Sequence, residues 1–131
     1  MKKIGVIIAP ISTVIAELGH MDTLTIADAG LPIPKEVHRI DLALTKGIPG
    51  FIDTLRVVLS EMKIGKVVVA NEMKQISPSI LTEVQSLIGD TPVDFVLHQQ
   101  FKNLSKSSRA IIRTGEFTPY ANIILVSGVV F

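Results

Sequence analysis

The sequence predicts a three-layer α/β domain with a largely parallel sheet flanked by helices. Three observations carry that reading. Short apolar runs of strand length alternate along the chain with apolar stripes at helical spacing. Several of those runs are apolar on both faces, as strands covered by helices on either side require. The 131 residues contain no internal repeat, low-complexity tract or linker, so a single domain over residues 1–131 accounts for them.

Taken in order, Ile11, Val14, Ile15 and Leu18 fall at i, i+3, i+4 and i+7, one face of a short helix that Ser12 helps to start and Gly19 stops. Thr23–Asp28 reads as a strand running out at Ala29-Gly30. Leu31-Pro32-Ile33-Pro34 is extended, because each proline pushes its predecessor out of the helical region. Ile40–Leu44 reads as a further strand. Phe51, Ile52, Leu55, Val58, Leu59 and Met62 make a wide helical stripe, opened by Pro49 and closed by Gly65. Lys66–Ala70 carries three consecutive valines, a β-branched run suited to a buried parallel strand. Ser77-Pro78 is a cap and first turn, and Leu81, Val84, Leu87 and Ile88 carry that helix to Gly89. Val93–Leu97, Ala110–Arg113 and Ile123–Val130 read as strands, with a helical turn over Gln99–Leu104.

Composition narrows the function classes. Thirteen Lys and Arg against twelve Asp and Glu leave a net charge of +1, no electrostatic footprint for nucleic acid or acidic lipid. One tyrosine and no tryptophan argue against stacking on single strands. The absence of cysteine removes disulfides, thiolate metal sites and cysteine nucleophiles. Hydrophobic residues reach 47%, whereas charged residues make up only 19% against a usual ~25%. The longest apolar runs, Ile4–Ile11 and Ile123–Phe131, are too short for a spanning helix, and the amino-terminal run meets Pro10 rather than a cleavage site. A soluble cytoplasmic chain is expected, with its apolar excess placed in subunit interfaces.

Open α/β sheets bind ligands beyond the carboxyl ends of their strands. Asp28, the pair Asn71 and Glu72, and His98 all follow predicted strands and would share one rim if those strands are parallel. Strand ends also turn polar simply on meeting water, so position alone leaves both readings open. His20 follows a predicted helix end, where carbonyl dipoles favour a cation. It reads either as a surface histidine capping that helix or as a proton donor. His38 reads as solvated surface, and the three histidines form no metal-binding spacing. Glycine-rich dinucleotide and phosphate loops and the serine-hydrolase elbow are all absent.

Three stretches resemble one family, the D-ribose pyranases and their relatives the L-fucose mutarotases. They are Leu18-Gly19-His20-Met21-Asp22 running into Ile26–Pro34, then His98-Gln99-Gln100-Phe101-Lys102, and then Ile112–Leu125 with Tyr120-Ala121-Asn122 at its centre. The likeness runs over essentially the whole chain. Gly30-Leu31-Pro32-Ile33-Pro34 and the Phe117-Thr118-Pro119 insert look like the ribose branch. Two positions depart from its pattern: Ile8 stands where an asparagine is common, and Gln99 where a glutamate is usual. The resemblance implies a cofactor-free, metal-free isomerase that interconverts β-D-ribopyranose and β-D-ribofuranose in support of ribose uptake. It also implies a ring-shaped homo-oligomer of eight or ten subunits with sites between neighbours. By match, His20 is implied as the proton donor, with Asp28, His98, Lys102, Tyr120 and Asn122 contacting the sugar and Glu116 beside them. Another sugar such as L-fucose, or sugar binding without catalysis, is the alternative.

Overall fold

The computed structural model describes residues 1–131. A six-stranded sheet runs through it, with strand order β2-β5-β1-β6-β3-β4. The strands are β1 (Thr23–Ala27), β2 (Arg39–Asp41), β3 (Ile64–Ala70), β4 (Val93–Val96), β5 (Ala110–Arg113) and β6 (Ile123–Ser127). β5 pairs in parallel with both β1 and β2, and β3 pairs in parallel with β4. Only β6 runs the other way, antiparallel to β1 on one side and to β3 on the other. The sheet is therefore mostly parallel, as expected, with a single reversed strand at its centre.

Helices α1 (Ala9–Glu17), α2 (Phe51–Leu59) and α4 (Pro78–Ile88) cover one face, and one turn, α3 (Met73–Ile76), leads into α4. Their apolar stripes meet Leu24 and Ile26 of β1, Val67 and Val69 of β3, and Ile123 and Leu125 of β6 in the main core. Alternation along the strands sends Ala27, Val68, Ile111 and Ile124 to the other face, under Phe101 of α5 (His98–Ser105) and Leu31. The extended segment after β1 thus covers part of the second face through Leu31, Ile33 and Val37.

Several boundaries differ from the expected ones. α1 starts at Ala9, because Pro10 fits the first turn, and Ser12 instead donates its hydroxyl to the Val6 carbonyl at 3.1 Å. α2 stops at Leu59, and Gly65 lies within β3. A Cβ on Gly65 would stand 3.6 Å from the Gly128 Cα, so this glycine packs two backbones together rather than ending a helix. The strand expected over Ile40–Leu44 is Arg39–Asp41, and the strand expected to reach Val130 ends at Ser127. α5 begins at His98, which places that histidine in the first turn of a helix.

Gly115 is a close backbone joint between two loops outside the sheet. A Cβ there would collide with the Thr45 carbonyl and would lie 2.6 Å from the Ile48 carbonyl oxygen. Backbone bonds from Gly115 to Pro49 and from Gly47 to Gly115 hold the two loops together. Gly115→Ala should therefore lower stability by about 1–3 kcal/mol, the usual cost of overpacking. Urea unfolding of the variant checks this, and an unchanged midpoint would show that the loops can part freely.

Candidate active site

Because every strand but β6 points the same way, the carboxyl ends of β1, β3, β4 and β5 share a rim with the amino end of β6. Asp28, His98, Tyr120 and Asn122 come together there. Asp28 and Asn122 form a reciprocal pair across β1 and β6. The Asp28 N–H donates to Asn122 Oδ1 at 2.8 Å, and Asn122 Nδ2 donates to Asp28 Oδ2 at 2.9 Å. Asp28 Oδ1 also accepts the Gly30 N–H at 2.9 Å, which closes the turn after the strand. Asn122 is fully buried and Asp28 is not, so the amide acts on the carboxylate from behind while the carboxylate faces out.

Asp28, His98 and Tyr120 line one cleft of about 280 Å³, with Gly30, Pro32 and Pro119. The Tyr120 and His98 rings meet edge to face, with centroids 5.0 Å apart. Tyr120 has φ +63°, a left-handed conformation, and the Asn122 N–H bonds back to the Tyr120 carbonyl at 2.8 Å. It precedes β6 rather than belonging to it, so strand alternation does not govern where Tyr120 and Asn122 point. The turn does so instead, with the phenol in the cleft and the amide in the wall. Lys102 sits one turn beyond His98 on α5, part-exposed and outside this cleft. A second cleft of about 410 Å³ adjoins the first through Asp28, Gly30 and Pro119 and is bounded by Arg113 and Glu116. Arg113 is committed there, its Nε to the Ala29 carbonyl at 3.0 Å and its guanidinium to Asp41 at 3.1 Å.

Two carboxylates hold this rim in shape, and neither role was visible in the sequence. Glu72, at the end of β3, accepts the His98 N–H with both oxygens at 3.0 and 3.1 Å. It supplies the cap that Leu97, the residue before α5, lacks a side chain to give. Glu116 does the same for α2, accepting the Phe51 N–H at 3.0 Å, and also takes the Thr118 hydroxyl at 2.8 Å. The only signal was a glutamate placed after an apolar run, which does not say which distant helix it will cap.

His20 stands apart. It precedes β1, whereas Asp28 follows it, and five residues at about 3.3 Å each set the two rims roughly 16 Å apart. It is exposed in a tight turn whose Gly19 N–H donates to Asp22 Oδ2 at 2.9 Å, with Asp22 also paired to Arg109 at 3.1 Å. The cleft beside it, about 420 Å³, is lined by Leu18, Glu61 and the Val129-Val130-Phe131 tail. One chain therefore assembles four of the expected residues and leaves His20 on the far edge. No group of three or more His, Asp or Glu side chains gathers to hold a metal ion.

Burial alone would raise the Glu116 carboxyl, but the Phe51 N–H, then the Thr118 hydroxyl and N–H, hold it below its ordinary value. A carboxyl depressed on folding contributes stability above its unfolded value, and that contribution fades as pH falls through the folded one. Glu116→Gln should thus cost about 1 kcal/mol at pH 7, with the gap to the parent closing below about pH 4. Denaturant unfolding across pH reads both, and a gap independent of pH would take the charge out of the account.

Residues 1–130 match the RbsD / FucU transport protein family. The chain is 51% identical over 131 residues to a Clostridium perfringens protein called D-ribose pyranase, and 54% identical over 131 residues to one of Laribacter hongkongensis, each covered in full. Among solved structures, Bacillus subtilis RbsD complexed with D-ribose matches with a TM-score of 0.97 at 44% identity, both chains covered in full. The fucose mutarotase of Streptococcus pneumoniae, solved with L-fucose, gives 0.79 at 26% identity over 95% of each chain. With the rim geometry and near-complete coverage in agreement, the chain belongs to the RbsD / FucU transport protein family.

Proposed function

We propose that the chain is a D-ribose pyranase, a cofactor-independent isomerase that exchanges β-D-ribopyranose with β-D-ribofuranose. The observation that carries this reading is the cleft itself, where an outward carboxylate, Asp28, is braced by a buried amide and faced by an imidazole and a phenol. Full-length identity above 50% to D-ribose pyranases supports ribose over L-fucose, whose mutarotase lies at 26%.

Opening a hemiacetal needs a proton on the ring oxygen and removal of the proton from the anomeric hydroxyl. The open aldehyde then turns so that another hydroxyl attacks. Positioned acids and bases contribute about 10²–10⁴-fold to such steps. Asp28 is fixed to accept from a sugar hydroxyl, and Tyr120 offers a phenol beside it. His20 is the acid on this reading, and it must come from a second copy of the chain, since its own rim faces away from its own cleft. Exposed Ile4, Ile7 and Leu44, each more than three quarters accessible, provide apolar surface for such association. A closed ring of eight or ten copies, working in the cytoplasm on imported ribose, completes the proposal. No helix is long and apolar enough to cross a membrane.

NMR magnetisation transfer between the pyranose and furanose signals of D-ribose tests the reaction. Acceleration by the protein is expected. His20→Ala should lose about 10²-fold or more in exchange while ribose binding survives; equal loss of both would make His20 a binding residue. If neighbours share a site, mixing dissociated His20→Ala and Asp28→Asn chains and letting them reassociate should restore exchange at about a quarter of the sites. No recovery would overturn a site shared between neighbouring chains.

A further inference from the structure

The two ring nitrogens of His98 live in different surroundings, and this bears on who moves protons in the cleft. Nδ1 is buried and has no hydrogen-bond partner. An atom that solvent cannot touch cannot be reached by a neighbouring chain either, so association leaves this environment as it is. Nε2 is not enclosed in this way, and His98 lines the cleft shared with Asp28 and Tyr120. The ring is held between Tyr120, edge to face at 5.0 Å, and Phe101, nearly parallel with centroids 6.4 Å apart.

A histidine ring carries its proton on Nε2, on Nδ1, or on both. The last two place an N–H in a pocket with no acceptor, the arrangement buried backbone and side-chain donors most consistently avoid. His98 is also the first residue of α5, the end of the helix where free amide hydrogens gather and a lone pair is better tolerated than another N–H. The charged groups nearby do not reverse this. Glu72 spends both oxygens on the His98 backbone N–H, Asp28 is held by Gly30 and Asn122, and Lys102 lies a turn away along α5.

Resting on the reading of this cleft as the sugar site, we infer that His98 is a neutral, fixed hydrogen-bond donor, its proton on Nε2, that holds a sugar oxygen. It is not the base that removes the anomeric proton. With the ring's single proton on Nε2, the only lone pair able to take another is on Nδ1, which is buried away from the cleft, so the face His98 turns to the sugar cannot act as a base. That leaves Asp28 as the acceptor in the cleft and divides the work cleanly: His98 gives a hydrogen bond and Asp28 receives one. Glu72 acts through His98 as a positioning residue, because it anchors the backbone from which the ring projects.

Ring ¹⁵N–¹H correlation spectra of ¹⁵N-histidine-labelled protein read the tautomer directly, with the His98 signals assigned by their loss in His98→Gln. A single proton on Nε2 is expected, shifting when D-ribose is added. A proton on Nδ1, or a doubly protonated ring at neutral pH, overturns the inference. This measurement stands whether or not D-ribose is turned over, so its failure and the failure of the proposed reaction are distinguishable. The second arm compares His98→Gln with His98→Ala, since the glutamine amide can donate near the place of Nε2–H but cannot serve as a base. Glutamine should bind D-ribose several-fold more tightly than alanine and recover part of the exchange rate; glutamine no better than alanine, both folded, overturns the donor role.

Discussion

Because β6 lies between β1 and β3 but runs against both, its first residues rise at the rim where the other strands end. Were the strand parallel to its neighbours, Tyr120 and Asn122 would lie on the His20 side, and Asp28 would have no amide behind it. The constraint is secured by burial. All five residues of β6 are closed off from solvent, and its apolar side chains feed both cores, each worth about 1.5–3 kcal/mol when fully buried. A slip by one residue would exchange those two sets of side chains between faces, so the register is strongly fixed. The Asp28–Asn122 pair inherits that precision, since each partner sits one step beyond a registered strand end.

The rim is rigid for a second reason, which is how its helices are capped. Neither α2 nor α5 carries a capping side chain at its own start. In both, a glutamate from a strand end elsewhere in the sequence takes the first free N–H, Glu116 for α2 and Glu72 for α5. A local cap would stabilise a helix wherever it went. A cap borrowed from across the fold also fixes where the helix sits, and α5 is the helix that brings His98 to the cleft.

Much of this was legible in the sequence, and what was not follows from the range over which patterns act. The stripe from Phe51 to Leu59 and the valines of β3 announced themselves because amphipathic spacing and β-branched runs are local properties. Asp28 and His98 were placed at the right rim for the same reason, as residues following strands. The direction of β6 was hidden, since a strand buried on both faces reads alike either way. The four residues of α3 are too few for a period to show. His98 was read as a strand end because its helix is started by Glu72, twenty-six positions earlier. The separation of His20 from Asp28 needed the length of β1 and its direction together, and only the folded sheet supplies both.

Glu116 ties the inner helix layer to the loop that walls the cleft, and this constrains how the protein can diversify. A change in the 114–118 loop that reshapes the cleft also loosens the start of α2, which packs Phe51 and Leu55 against the sheet. Such variants face selection on folding before any gain in sugar range can be tried. Pro32 and Pro119, exposed on the cleft edge and outside the capping network, carry no such burden. Substitutions at those two positions reshape the cleft edge without unseating a helix, which substitutions at Glu116 cannot do.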